Sequence, residues 1–198
     1  MAAPIVLASS SPYRRQLLER LQLRFEVEAP QVDEASRSGE SPLQQACRLA
    51  LLKASTVSLR RPDAIVIGSD QVAVADGITI GKPADHDDAL RQLLQMQGRS
   101  VLFHTALAVV RRADDRSEVD CVDTLVHFRR LSREALQTYL LIDRPYDCAG
   151  SARIESLGIC LVESVQSDDP TALIGLPLIR LTSMLAGCGV ALPQIGTR

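Results

Sequence analysis

The sequence lacks a surplus of charge of either sign, its 22 Lys and Arg residues nearly balancing 24 Asp and Glu. That excludes the broad positive field by which proteins hold a nucleic-acid polymer through its phosphates. A small anion is a different case, because a few Arg and Lys side chains gathered locally can hold one inside a nearly neutral surface. No apolar run reaches the roughly 20 residues that a membrane-spanning helix requires. The opening run Pro4 to Ala8 is too short for a secretory signal core, and no basic residue precedes it.

Paired cysteines are also missing. Cys47, Cys121, Cys148, Cys160 and Cys188 are odd in number and never form a Cys-x-x-Cys pair, which points to reduced thiols in a cytoplasmic protein and away from a disulfide framework or a zinc site. His86, His104 and His127 stand apart, so only the fold could assemble a histidine-based metal site. No repeat or low-complexity linker marks a boundary, and the chain is read as one domain, 1–198, whose 46% apolar content supports a substantial core.

What is present is an alternation of strand and helix signals. Ile5–Ala8 is a short apolar run, followed by Ser9-Ser10-Ser11-Pro12, a cap-plus-proline helix start. Phe25–Ala29 alternates like a half-buried strand, and a long helix is expected from Leu43 to Leu59 after Ser41-Pro42. Ala64–Gly68 reads as a strand buried on both faces and followed by a loop, with a hairpin around Asp76-Gly77 beyond it. A helix near Asp85–Met96, strands near 101–110 and 118–128, a helix near Arg133–Leu141, a strand Gly158–Val165 and a last helix after Pro177 complete the pattern. The fold class expected is α/β, a mixed central sheet flanked by helices.

Loops after buried strands are where α/β proteins place ligands, and two carry unusual polar residues. In Ser9-Ser10-Ser11-Pro12-Tyr13-Arg14-Arg15, hydroxyls, free backbone N–H groups and two guanidinium groups gather at a helix start. This suits a phosphate, and the arginines, which oppose the helix dipole there, are more easily explained if an anion sits among them. The alternative is a serine cap followed by two solvated arginines. Asp70, after the strand ending at Gly68, is placed to hold Mg²⁺ or Mn²⁺ and deprotonate a water, or else simply forms a turn. Gly77-Ile78-Thr79-Ile80-Gly81-Lys82-Pro83 fails as a P-loop: three residues separate the glycines where four are needed, and Pro83 replaces the metal-binding Ser or Thr. Lys82 is therefore either a phosphate contact or an ordinary surface lysine. Asp33-Glu34 and Lys53 taken alone look like solvated charges. The small residues Cys148–Ser151 mark either backbone approach to a ligand or a tight turn, and Asp168-Asp169-Pro170 looks like a helix-capping turn.

In order, Leu7-Ala8-Ser9-Ser10-Ser11-Pro12-Tyr13-Arg14-Arg15, Val32-Asp33-Glu34, Gly68-Ser69-Asp70-Gln71, Gly81-Lys82-Pro83, Cys148-Ala149-Gly150-Ser151 and Gly175-Leu176-Pro177-Leu178 resemble the Maf family over about Ile5–Leu185. The resemblance implies a nucleoside triphosphate pyrophosphatase that uses a divalent metal, with two lobes around an active-site cleft and a frequent homodimeric state. It implies Asp70 as proton acceptor, with Ser9, Arg14, Arg15, Glu34, Lys53 and Lys82 handling phosphates, metal or water, and Asp70 and Glu34 as the metal-holding pair. Where family members commonly carry an aromatic residue and then a glycine, this chain has Ala152 and Ser156.

Three positions separate two branches of the family. The branch acting on dTTP and UTP typically has Arg, Thr and Gln where this chain has Tyr13, Gln71 and Glu155, a set that resembles the 7-methyl-GTP branch. The chemistry agrees: guanine presents adjacent N1–H and N2–H donors to a two-oxygen carboxylate, and N7 methylation makes the base a cation that can stack on Tyr13. The expected activity is conversion of 7-methyl-GTP to 7-methyl-GMP and pyrophosphate, a nucleotide house-cleaning reaction. The alternatives are a dTTP/UTP pyrophosphatase and a non-catalytic nucleotide-binding module, the latter having no need of Asp70 and Glu34 together.

Overall fold

The computed structural model describes residues 3–193. Among these residues five α-helices alternate with the strands of a seven-stranded sheet. The strands are β1 (Ile5–Ala8), β2 (Glu26–Val27), β3 (Ile65–Ala75), β4 (Ile78–Ile80), β5 (Ser100–Arg111), β6 (Arg116–Phe128) and β7 (Val162–Ser167). The helices are α1 (Pro12–Glu19), α2 (Pro42–Arg60), α3 (His86–Met96), α4 (Arg133–Asp143) and α5 (Leu178–Gly187). The sheet order is β2-β1-β3-β5-β6-β7, with β4 paired to β3. β1 runs parallel to β2 and β3, whereas β3–β4 and β6–β7 are antiparallel, so the sheet is mixed, as the alternation predicts. No helix among the described residues is long and apolar enough to cross a membrane.

Local signals account for most of the helix starts. Ser41 and Gln44 form a reciprocal capping box at α2, Ser11 accepts from Arg14 N at α1, and Asp85 caps α3 by accepting from Asp88 N at 2.8 Å. The described residues form two compact units: 3–70, 105–122 and 169–193 in the first, 71–104 and 123–168 in the second. In the first, Leu7, Ile67 and Leu107 of the sheet pack with Leu17 and Leu18 of α1 and Leu181 and Met184 of α5. α2 approaches β3 so closely that a Cβ on Gly68 would lie 2.3 Å from the Ala50 carbonyl oxygen. In the second unit α3 packs against α4, burying Leu90, Leu93, Leu136 and Leu140.

Three expectations differ from the structure. The chain does not leave the sheet after Gly68; β3 continues through Ser69, Asp70 and Gln71 to Ala75. Ser69 is accommodated because its hydroxyl lies 2.7 Å from the Ala106 carbonyl and 2.9 Å from that of Gly175, and Asp70 because it meets a lysine. The strand expected over Phe25–Ala29 is only the two-residue edge strand β2, both residues exposed, with Glu26 drawn outward to Arg61. The strand expected over Gly158–Val165 begins at Val162, because residues 157–161 form a 3-10 turn.

Candidate active-site residues

In the first unit the segment after β1 turns sharply into α1. Ser9 is buried and its hydroxyl accepts from Ser11 N at 3.1 Å, while Ser11 caps the helix. Arg14, half-buried in the first turn, donates through Nε to the Gly175 carbonyl at 2.8 Å. Burial lowers the pKa of its guanidinium from the usual value, partly opposed by the negative charges of Asp70 and Glu34. A desolvated cation of this kind favours an anionic ligand. Gly175 holds φ at +121°, and its carbonyl accepts from both Arg14 and Ser69. Its segment is pinned further by Thr105, whose hydroxyl donates to the Ala172 carbonyl at 3.0 Å. Asp169 accepts from the Thr171 hydroxyl at 2.7 Å and from Ile179 N at 2.6 Å, and so serves the start of α5 in the capping role expected of it. Arg15 faces solvent and pairs with Glu19 at 3.0 Å, one turn along the same helix, and is not brought to the other charged groups. Tyr13 is half-buried on α1.

Lys53 is not the solvated charge that its surroundings in the sequence suggest. It lies on the buried face of α2, and its ammonium meets Asp70 Oδ1 at 2.7 Å and Glu34 Oε1 at 3.0 Å. The Lys53 and Asp70 side chains are 6% and 9% exposed, that of Glu34 55%. One cation thus gathers two carboxylates that lie 36 positions apart in sequence. The loop bearing Glu34 is shaped by Asp33, whose carboxylate accepts from Ala35 N at 3.0 Å. Arg48 anchors that loop by donating to the Ala35 carbonyl at 3.1 Å and to Glu40 at 2.8 Å.

The second unit contains Gln71, Lys82 and Glu155. Lys82 is exposed beside Gly81, whose carbonyl accepts from Gly150 N at 3.2 Å, so the Gly-Lys-Pro and Cys-Ala-Gly-Ser segments meet. The small-residue run is a tight turn: Gly150 and Ser151 both adopt positive φ, and a Cβ on Gly150 would meet Met96 at 3.4 Å. Burial, with Asp147 nearby, pushes the Cys148 thiol up to about 11. Glu155 stands at the exposed edge of the unit, yet partial desolvation raises its carboxyl pKa, with further raising by Asp143 and Asp147. Ser156, at the position where family members commonly have glycine, has φ of −128° and needs no glycine; its hydroxyl donates to Asp143 at 2.6 Å.

Sequence reasoning missed Ser69, Arg48 and Asp143 as organisers of these positions. Asp143 carries the clearest signal, an acidic residue at the last position of a helix, where the dipole disfavours negative charge. The partners of Ser69 and Arg48 are distant or in irregular chain, and no local pattern announces them.

Comparison with known proteins bears on the same segments. The family model described as Maf-like protein matches residues 4–188. A protein of Ralstonia nicotianae named 7-methyl-GTP pyrophosphatase is 55% identical over 185 residues, covering 93% of this chain and 95% of that protein. Proteins of the same name from Methylobacillus flagellatus and Albidiferax ferrireducens are 53% and 51% identical over 94% of this chain, covering 97% and 94% of their own lengths.

Proposed function

The chain belongs to the Maf-like family, and on that premise we propose that it is a metal-dependent pyrophosphatase converting 7-methyl-GTP to 7-methyl-GMP and pyrophosphate. The observation that carries the reading is the buried Lys53–Asp70 pair with Glu34 on the same ammonium. Buried charges of this kind are costly to maintain and concentrate where chemistry needs them. A purely binding module has no use for a buried carboxylate beside an anionic ligand.

In this reading a water attacks the α-phosphorus, Asp70 takes its proton, and the bond from that phosphorus to the bridging oxygen breaks to release pyrophosphate. Lys53 orients the Asp70 carboxylate through its 2.7 Å contact. Arg14, held by Gly175 through Nε, keeps its terminal nitrogens for phosphate oxygens. Ser9 contributes to the same turn, and Arg15 joins substrate binding by exchanging its Glu19 partner. Lys82 offsets charge on the leaving pyrophosphate. Asp70 and Glu34 fit a hard divalent cation, since both offer carboxylate oxygens and both lie on one ammonium. They would hold Mg²⁺ or Mn²⁺, which when bound neutralises phosphate charge and acidifies water.

Tyr13, Gln71 and Glu155 are assigned to base choice, Glu155 accepting from guanine N1–H and N2–H and Tyr13 stacking on the cationic ring. The reading includes a cytoplasmic location, in keeping with five free thiols, and a homodimer, which sedimentation velocity tests. The direct test is incubation with 7-methyl-GTP, GTP, dTTP and UTP and either metal, with products resolved by ion exchange. Preferred release of 7-methyl-GMP with pyrophosphate is expected. A preference for dTTP or UTP overturns the base assignment, and inorganic phosphate with a nucleoside diphosphate overturns the reaction.

A further inference from the structure

We propose that Asp143, Ser156 and Tyr139 are positioning residues for Glu155, clamping its turn to the end of α4 so that purine selectivity depends on side chains that never meet the base. The inference rests on the reading of Glu155 given above. Tyr139 and Asp143 lie four residues apart on the buried face of α4. The Tyr139 hydroxyl donates to the Ser151 carbonyl at 3.2 Å and accepts from Arg153 N at 3.0 Å. Asp143 Oδ1 accepts from the Ser156 hydroxyl at 2.6 Å, and Arg153 Nη1 lies 3.6 Å from the same oxygen. The turn is therefore tied to the helix at residues 153 and 156, leaving only Ile154 and Glu155 between the ties.

Its backbone closes equally tightly. Ser156 N donates to the Arg153 carbonyl at 3.2 Å, and a Cβ on Gly158 would lie 2.3 Å from that carbonyl oxygen. Glu155 thus projects from a turn whose two neighbouring anchors both lead to α4. Nothing in apolar packing requires a carboxylate at Asp143. Its side chain is 6% exposed, its Oδ2 is buried without a hydrogen-bond partner, and it sits where the helix dipole opposes it. A carboxylate maintained against these costs, with its bonded oxygen on the turn beside Glu155, is explained by the aim it gives that turn.

The test compares kcat/KM for 7-methyl-GTP and UTP in Ser156→Ala, Ser156→Thr, Asp143→Asn and Glu155→Ala. Ser156→Ala and Asp143→Asn are expected to lower the 7-methyl-GTP value about 5- to 30-fold, mainly through KM, the scale of one lost charge-assisted hydrogen bond. UTP turnover should change less than about twofold, and Ser156→Thr, which retains the hydroxyl, should restore the ratio. In a Glu155→Ala background, adding Ser156→Ala should change nothing further, because coupled residues are non-additive. Equal losses for both substrates would reduce the clamp to a structural role and overturn the inference. If Glu155→Ala shifts the ratio while Ser156→Ala and Asp143→Asn do not, the inference fails alone; if Glu155→Ala leaves the ratio unchanged, the reading of Glu155 fails with it.

Discussion

Replacing Lys53 by Met keeps the length and most of the volume of the side chain but removes the ammonium from a contact 2.7 Å from Asp70. At an effective dielectric near 20, unit charges at that separation attract by about 6 kcal/mol, most of which is offset by the desolvation of both groups. The loss on mutation follows a different logic, since Asp70 stays 9% exposed after losing the ammonium bonded to it. Leaving one member of a buried pair uncompensated costs about 3–5 kcal/mol. The Glu34 contact adds little, because its side chain is 55% exposed and water screens it. In a chain of this length about 1 kcal/mol moves Tm by about 2–4 °C, so Lys53→Met should lower Tm by about 6–20 °C. Urea denaturation and calorimetry measure this, and the double variant Lys53→Met/Asp70→Asn should recover much of the loss by removing the stranded charge. Equal stability of the single and double variants, or a loss below about 1 kcal/mol, would refute the assignment of the cost to Asp70.

Asp70→Asn should retain nucleotide binding by calorimetry while turnover falls about 100- to 10,000-fold, since an amide cannot take up the water's proton; near wild-type turnover would remove Asp70 from the mechanism. Gly68→Ala places a methyl group 2.3 Å from the Ala50 oxygen and 2.8 Å from Ala54 N, so α2 must move off β3. A destabilisation of about 1–3 kcal/mol or more is expected in urea, and an unchanged midpoint would contradict the close approach. Because desolvation and the charges of Asp143 and Asp147 raise the Glu155 pKa, and only the ionised carboxylate accepts two N–H groups, 7-methyl-GTP selectivity should fade as pH drops, beginning above the ordinary carboxylate range. Asp143→Asn should move that fading to lower pH, as kcat/KM profiles would show.

The elements bounded by local signals were legible in sequence. Ser11-Pro12, Ser41-Pro42 and Asp85 mark helix starts through bonds to their own neighbours, and Asp76-Gly77 makes its hairpin with positive φ at both residues. The sequence reads β3 as ending at Gly68, because Ser69 and Asp70 look like turn residues until their partners are known. Those partners lie 17, 37 and 106 positions away, at Lys53, Ala106 and Gly175. The 3-10 turn at 157–161 is hidden for a related reason, since Gly158 serves a backbone contact with Arg153 and not a strand. Only the family resemblance points to Lys53 and Glu34, as isolated charges on a helix and in a loop say nothing of a shared partner. Arg48 and Asp143 touch these positions from behind, and only the assembled fold reveals what they hold.

The central claim, that water attacks the α-phosphorus of 7-methyl-GTP, is tested most directly by turnover in ¹⁸O-enriched water with mass analysis of both products. One heavy oxygen in 7-methyl-GMP and none in pyrophosphate is the predicted result. Label in the pyrophosphate, or inorganic phosphate released with a nucleoside diphosphate, would contradict it.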